Sequence, residues 1–524
     1  MEILQNMVKG SVINVSKSSG ALKTIHKEKW CIDLLFVCIF AFLSFIFLIN
    51  SPLHPWNKST AGTDSSVFKT VALMMRKGYV PYRYSFDHKG PIIYIINYLG
   101  DLISSYGGVW VFEFISLFST MVICYYSVRR LFKISEVFSA VAVFSGLALL
   151  FTYFEGGNLT EEYAMPFIAI GIYVFLNYLL HDNYNPFQLC ACGFSFGIVL
   201  MLRINMVIMW CVFCVDILII TLLSKKRKEL FVYIGWFLIG LCVAVIPIIC
   251  WLGLNGALKD FWFDYVQFNM IYSSSEGGRA TAIAKWDSFY HFFNTTVFTI
   301  ALLSSIFLTI KIRSRRSLWF VYTLMMITNL IFICMSGMQY NHYGMILIPV
   351  VIFPIAGMLS FLSEHTTNKQ PIGAYLLAGF LLCTVIWNDW SAGINTARKK
   401  YESRNENHVS GNIIKMVELI QANTSPDDSI SVYGNYDIVY VVSERTHATK
   451  YSYQFPIGTV YPAIMEEYWK ELHEEQPRII VVQRGHYDNS AKSFFENEHY
   501  DLLWAANNDS INDGNAIFIK SDGV

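Results

Sequence analysis

Long apolar runs, each closed by a short polar or basic stretch, recur along the first three-quarters of the chain. A helix needs about 20 mostly apolar residues to cross a bilayer, and most of these runs approach that length. They predict about eleven transmembrane helices. The runs are 31–50, 109–128, 137–154, 163–180, two short ones within 189–223 that meet near Arg203, 231–252, 290–310, 318–336, 343–362 and 372–389. The first run lacks a small-residue cleavage site and is too long for a signal core, so it reads as a retained helix. Basic clusters follow alternate runs: Arg129, Arg130 and Lys133; Lys225 to Lys228; Lys311, Arg313, Arg315 and Arg316. The positive-inside rule puts these in the cytoplasm, together with the lysine-bearing segment 1–29. The expected location is the plasma membrane, with the C-terminal part outside.

After residue 390 the pattern changes. From Tyr401 onward nineteen Asp and Glu stand against nine Lys and Arg, and no long apolar run remains. Short β-rich runs occur at Ser429–Tyr433, Ile438–Val442, Arg478–Val482 and Ala516–Lys520. Helical patterns lie near Val409–Ala422, Ala463–Glu475 and Ser490–Glu496. The expected fold class is therefore a polytopic α-helical membrane protein with a small C-terminal extracytoplasmic α/β domain. Its divisions are a cytoplasmic segment 1–29, a transmembrane domain 30–390 with a first outer loop 51–105, and the α/β domain 391–524.

Composition agrees. The chain is 54% hydrophobic and 15% charged, with mean hydropathy +0.41; soluble domains carry roughly 25% charge. The net charge of zero argues against a nucleic-acid partner. All eleven cysteines lie in apolar runs, which reads them as small buried hydrophobes rather than metal or redox groups.

Candidate chemistry concentrates in the loop Gly62 to Tyr94, which holds Asp64, several aromatics and the triplet Asp87, His88, Lys89. Its stretch Ser66 to Lys77 reads as an amphipathic helix lying at the membrane interface, with Val67, Val71, Met74 and Met75 on one face. Three more polar sites fall on the same predicted side: Asn158, Glu161 and Glu162; Arg203 with Asn205; and Gln339, Tyr340, Asn341 and His342. Charge near the hydrocarbon layer is costly, so its convergence on one face points to a shared cavity. One acid beside a hydroxyl can act as a general base. Lys, Arg and His can hold a phosphate or diphosphate leaving group. Glu161 and Glu162 can hold a divalent cation with Asp64, or orient Lys89 or Arg203. Arg203 can pair with an acid or bind phosphate.

These motifs resemble the GT-C superfamily of integral membrane glycosyltransferases. The similarity is to the branch of protein O-mannosyltransferases and bacterial aminoarabinose transferases of lipid A. Asp64 in GTDSSVF matches the acid of the first outer loop, and FDHKGPIIY is similar to that branch's D-x-K-P-P-L-x-Y signature. GGNLTEEYAMPF, RIN and NHYGMILIP follow in the expected order. The chain departs at Ser65, where many members carry a second acid, and at Gly90, where they carry proline.

The resemblance implies transfer of a sugar from a polyprenyl-phosphate donor to an extracytoplasmic glycan, lipid or protein, with inversion. It makes Asp64 the catalytic base and Glu161 or Glu162 the second-loop acid. It makes Lys89 and Arg203 ligands of the lipid phosphate, with Asp87, His88, Asn158, Tyr340 and His342 as further substrate-binding candidates. No cofactor is required beyond the divalent cation left open above. Two alternatives compete: a ligase or polymerase using a diphosphate-linked oligosaccharide, and a lipid or sugar transporter. The absence of a sequence repeat speaks against the transporter.

Overall fold

The computed structural model describes residues 30–57, 61–105, 107–181, 185–274, 281–335, 337–364, 372–406, 409–507 and 509–521. The expected cytoplasmic segment 1–29 lies outside the described residues. Among these, eight helices are long and apolar enough to cross a membrane: Trp30–Leu48, Gly108–Phe132, Glu136–Tyr153, Thr160–His181, Ile204–Leu223, Arg227–Leu254, Ser317–Cys334 and Asn341–Glu364. Only 17% of the apolar window of Arg227–Leu254 is buried within the protein, so most of its surface suits a lipid surround.

The expected eleven spans divide differently. The run at 290–310 belongs to two helices, Ala282–Phe293 and Thr296–Lys311, bent by 85° and counting as a ninth span only if taken together. The runs near 189 and 372 form shorter apolar helices, Pro186–Leu200 and Ile372–Cys383. Hydropathy reports an apolar run but not a bend inside it, and the sequence count treats all three as ordinary spans.

Short Pro186–Leu200 is held by close backbone packing on Arg227–Leu254. A Cβ added at Gly193 would fall 1.9 Å from the carbonyl oxygen of Phe237, and one at Gly240 would fall 1.9 Å from that of Cys190. Small residues let two membrane helices approach this closely.

The loop helix runs from Thr63 to Arg76. Every residue from Ser65 to Met74 is buried, so it is enclosed rather than lying at an interface. The helices Pro91–Ile103 and Ile438–Ser443 pack against it. Lys69 is buried and donates to Asp101 Oδ1 at 3.0 Å and to the Ser105 carbonyl at 3.1 Å.

The C-terminal part carries a five-stranded sheet made of β1 (Ser429–Tyr433), β2 (Thr446–His447), β3 (Ile479–Val482), β4 (Tyr500–Ala505) and β5 (Ala516–Lys520). Its order is β2-β1-β3-β5-β4; β1 pairs in parallel with β2 and β3, and β5 runs antiparallel to β3 and β4. Helices Gly411–Asn423, Ala463–Glu475 and Asn489–Asn497 flank it. The β-branched run expected as a strand at Ile438–Val442 is instead the helix Ile438–Ser443. Tertiary packing overrides β propensity there: Val439 and Tyr440 are fully buried, and the Tyr440 hydroxyl accepts from the β1 amide of Val432 at 2.7 Å. The helix Trp387–Glu402 runs through the boundary placed at residue 391.

Gly193→Leu tests the close helix pair. Overpacking of this kind costs about 1–3 kcal/mol, so the detergent-solubilised variant should melt several degrees below wild type, while Gly235→Leu, with nothing near its Cβ, should not.

Candidate active site

Asp64 is the second residue of the helix Thr63–Arg76, and its side chain is exposed at that helix's first turn. Its neighbour Ser65 is buried and anchored. The Ser65 hydroxyl accepts from the Asn158 amide nitrogen at 2.8 Å. Asn158 in turn exchanges two hydrogen bonds with Asn97: Asn158 Nδ2 donates to Asn97 Oδ1 at 2.8 Å, and Asn97 Nδ2 returns to Asn158 Oδ1 at 3.0 Å. The Tyr163 hydroxyl also donates to Asn158 Oδ1 at 3.0 Å. Both asparagines are fully buried, and the Asn158 side chain has every site engaged. Asn158 sits at φ +56°, a left-handed turn that asparagine tolerates better than most residues. Its backbone N–H donates to Glu162 Oε2 at 3.0 Å.

The loop 86–90 is fixed from three sides. Asp87 is buried and accepts from the His88 amide at 2.8 Å, Tyr94 Oη at 2.8 Å and Tyr453 Oη at 3.0 Å. Burial pushes its carboxyl above the usual range, against the pull of Lys89 and these hydrogen bonds. Burial, then Lys89 and Arg203, hold His88 well below its ordinary value, so the ring is neutral. Lys89 Nζ lies 2.9 Å from His88 Nε2. A neutral ring accepts there, which leaves its hydrogen on Nδ1, 3.5 Å from Asp87 Oδ1.

Gly90 explains one departure from the family signature. Its N–H donates to the Leu202 carbonyl at 3.0 Å, and an added Cβ would fall 2.0 Å from the Met201 carbonyl oxygen. Proline has no N–H to give and no room there. The contact ties Lys89 to the segment that carries Arg203.

Arg203 pairs with Glu161 and lies over the Tyr343 ring, 4.3 Å from its centroid. Thr160 Oγ1 donates to the other Glu161 oxygen at 2.8 Å. His342 Nδ1 lies 2.7 Å from Glu155 Oε2. Tyr340 stacks on His342 with centroids 5.7 Å apart.

Asp64, Lys89, Arg203, Tyr340 and His342 therefore come from four separate segments to one region. Tyr272, which sequence reasoning does not single out, lies within electrostatic reach of Asp64, Lys89, Arg203 and Tyr340. Burial raises its phenol, and Tyr343, Lys89, Arg203 and Asp64 all act on it. Burial, Tyr343, Tyr272, Asp64 and Glu155 likewise raise Tyr340. The His88 ring stacks nearly parallel to Tyr272, centroids 5.9 Å apart at 13°. Nothing in the sequence marks Tyr272 or Tyr453 among thirty-one tyrosines, and Tyr343 lies in the motif NHYGMILIP without being singled out.

Glu161 and Glu162 do not face one site. Glu161 is engaged by Arg203, and Glu162 accepts from the Asn158 backbone. Among the described residues no group of three His, Cys, Asp or Glu is arranged to hold a metal ion.

No family model and no curated protein matches the sequence. Solved structures do match the fold. The crystal structure of ArnT from Cupriavidus metallidurans bound to undecaprenyl phosphate superposes with a TM-score of 0.60 at 12% identity, covering 93% of this chain and 98% of that one. The chain has the ArnT fold. The apo state of the same ArnT gives 0.58 at 12% identity, covering 93% of this chain and 97% of that one.

The α/β region belongs to this site's support. Besides Tyr453, the Lys450 carbonyl accepts from the Phe86 amide at 2.8 Å, and Lys450 Nζ reaches Asp260 and Asp264 at 3.2 and 3.5 Å. His447 Nε2 lies 2.9 Å from Ser85 Oγ, and its Nδ1 lies 2.6 Å from the Thr449 carbonyl. The carbonyl can only accept, so Nδ1 carries the hydrogen and Nε2 accepts from Ser85. Burial lowers this ring to about 4, with the Thr449 bond opposing. A depressed folded value means stability that is full above the free value of 6.5 and is lost as pH falls toward 4. Limited proteolysis of the solubilised protein should therefore cut faster between pH 6 and 4. His447→Asn should flatten that rise; an unchanged acid limb would remove His447 from its cause.

Proposed function

We propose that the chain is a glycosyltransferase that takes a sugar from a polyprenyl-phosphate donor and passes it, with inversion, to an extracytoplasmic acceptor. The observation that carries the reading is Asp64, an exposed carboxylate close enough to act electrostatically on Tyr272, as Lys89 and Arg203 also do. The ArnT fold, in a protein solved with undecaprenyl phosphate bound, supports the donor class.

The chemistry follows from the groups. Asp64 takes the proton of the acceptor hydroxyl as its oxygen attacks the sugar's anomeric carbon. The bond from that carbon to the phosphate oxygen breaks, and the electron pair leaves with the lipid phosphate. Lys89 and Arg203 offset the charge that develops there. Attack from the face opposite the leaving group inverts the anomeric carbon.

Local charge favours a monophosphate donor over a diphosphate. Glu161 balances Arg203, and His88 is neutral. Of the two cations, Lys89 is then the one without an ion pair among the described residues, which suits the single negative charge of a phosphodiester. In this reading Glu161, Asp87 and His88 orient the cations, and Asn158 with Glu162 fixes the turn beneath Asp64. Tyr340 and His342 form the wall toward the acceptor. The polar end of the bundle and the α/β domain lie outside the plasma membrane, with the N-terminus in the cytoplasm.

The test is transfer from labelled undecaprenyl-phosphate monosaccharides in membranes carrying each variant at equal expression. Asp64→Asn should lower turnover by ~10²–10⁴-fold, the usual worth of general-base catalysis. Lys89→Gln should raise the donor KM about ten- to hundredfold, since a charged hydrogen bond contributes ~1.5–3 kcal/mol. Full activity in Asp64→Asn would sink the mechanism. Activity only with diphosphate-linked donors would favour the ligase.

A further inference from the structure

A cavity is bordered by Gln339, at the start of the segment that carries Tyr340 and His342. Its volume is about 610 Å³, and Asp287, Tyr290, His291, Asn294, Thr295 and Gln339 contribute its polar lining. That volume falls in the range of small-molecule sites, roughly 300–1,000 Å³. The segment 339–342 touches this cavity and also carries two candidates of the Asp64 region. Gln339 lines the cavity, and Asn341 Oδ1 lies 2.9 Å from Nε2 of the cavity's His291. Tyr340 and His342, the alternate residues, meet the Asp64 side through Tyr272 and Glu155.

The lining differs in kind from the Lys89–Arg203 region. It contains amides, hydroxyls, a carboxylate, an imidazole and a phenol ring, but no Lys or Arg. A phosphate or diphosphate needs cations, so this cavity is poorly suited to the donor's lipid phosphate. Planar amides and a carboxylate can exchange hydrogen bonds with many hydroxyls, and Tyr290 offers a ring face. The helix Ala282–Phe293 also leaves Ile283, Trp286 and Tyr290 exposed, 73%, 67% and 60%, and turns 85° into the next helix. Exposed aromatics on a helix that turns sharply into an apolar one suit the headgroup layer of a membrane.

We propose that this cavity binds the neutral saccharide portion of a membrane-anchored acceptor and presents its hydroxyl past Tyr340 to Asp64. The acceptor role rests on the glycosyltransferase reading above; saccharide binding does not. The cavity then sets acceptor choice, while Lys89 and Arg203 set donor choice.

Two measurements on the purified full-length chain separate the claims. The first is binding to a panel of neutral oligosaccharides, for wild type, Asn294→Ala, Tyr290→Ala, Asp287→Asn and Asp64→Asn. Wild type and Asp64→Asn should bind at least one member alike, and the three cavity variants should bind it tenfold or more weakly. No binding by wild type, or binding the cavity variants leave intact, overturns the site. The second is transfer from undecaprenyl-phosphate monosaccharides to a titrated membrane glycolipid extract. The cavity variants should raise the apparent KM for the extract tenfold or more, with the donor KM unchanged. A raised donor KM, or transfer to a protein acceptor that the cavity variants leave untouched, overturns the acceptor role. Saccharide binding without any wild-type transfer would count against the glycosyltransferase reading and leave the binding site standing.

Discussion

A buried asparagine side chain has two donors and two acceptor positions, and no water to fill them. Asn158 meets this demand with Asn97, Ser65 and Tyr163 together. Leaving one such group unpaired costs about 1–3 kcal/mol. The requirement therefore brings together the loop helix, the helix Pro91–Ile103 and the turn before Thr160–His181. Apolar packing alone would allow these elements to slide; directional bonds between amides do not. Asp64 is one residue from Ser65, so the place of the exposed acid depends on a network of which it is not a member.

The cationic side of the site depends on a different kind of constraint, which is absence of side chain. Gly90 approaches the backbone at Met201 and Leu202 more closely than any Cβ permits. The approach brings Lys89 to the segment ending in Arg203. Two like charges held in one region repel, and three features moderate this. Glu161 faces Arg203, the Tyr343 ring lies beneath it, and His88 stays neutral beside Lys89. An electropositive but nearly balanced region can accept an anion without requiring one for the fold to hold.

Polarity in an apolar chain is the signal that sequence carries best. Asp64, Lys89, Arg203 and His342 stand out because a membrane domain excludes such groups unless they have partners or work to do. The helical architecture is visible for the same reason. What escapes is partnership. Glu161 and Glu162 are adjacent in sequence, yet one meets Arg203 and the other the Asn158 backbone, because successive side chains on a helix point about 100° apart. Tyr272, Tyr343 and Tyr453 escape because aromatics make up 16% of the chain. Hydropathy registers apolar residues and not the 85° bend after Phe293, so the run at 290–310 reads from sequence as one straight span. The run Ile438–Val442 misleads because β-branched residues also suit a short buried helix.

The C-terminal region reads from sequence as a small α/β domain without a catalytic motif, and contact chemistry ties it to the site. A cover that only shut out water would meet the loops through apolar surface, which tolerates small shifts. This one supplies directional partners to three successive loop residues: His447 to Ser85, the Lys450 carbonyl to Phe86, and the Tyr453 hydroxyl to Asp87. Asp87 in turn faces His88, whose far nitrogen receives Lys89. The position of the lysine is thus linked through two side chains to the α/β region. Lys450 extends the same attachment to Asp260 and Asp264, in the segment leading to Tyr272. Displacing this region would uncover the site and also release the two segments that hold Lys89 and Tyr272 in place.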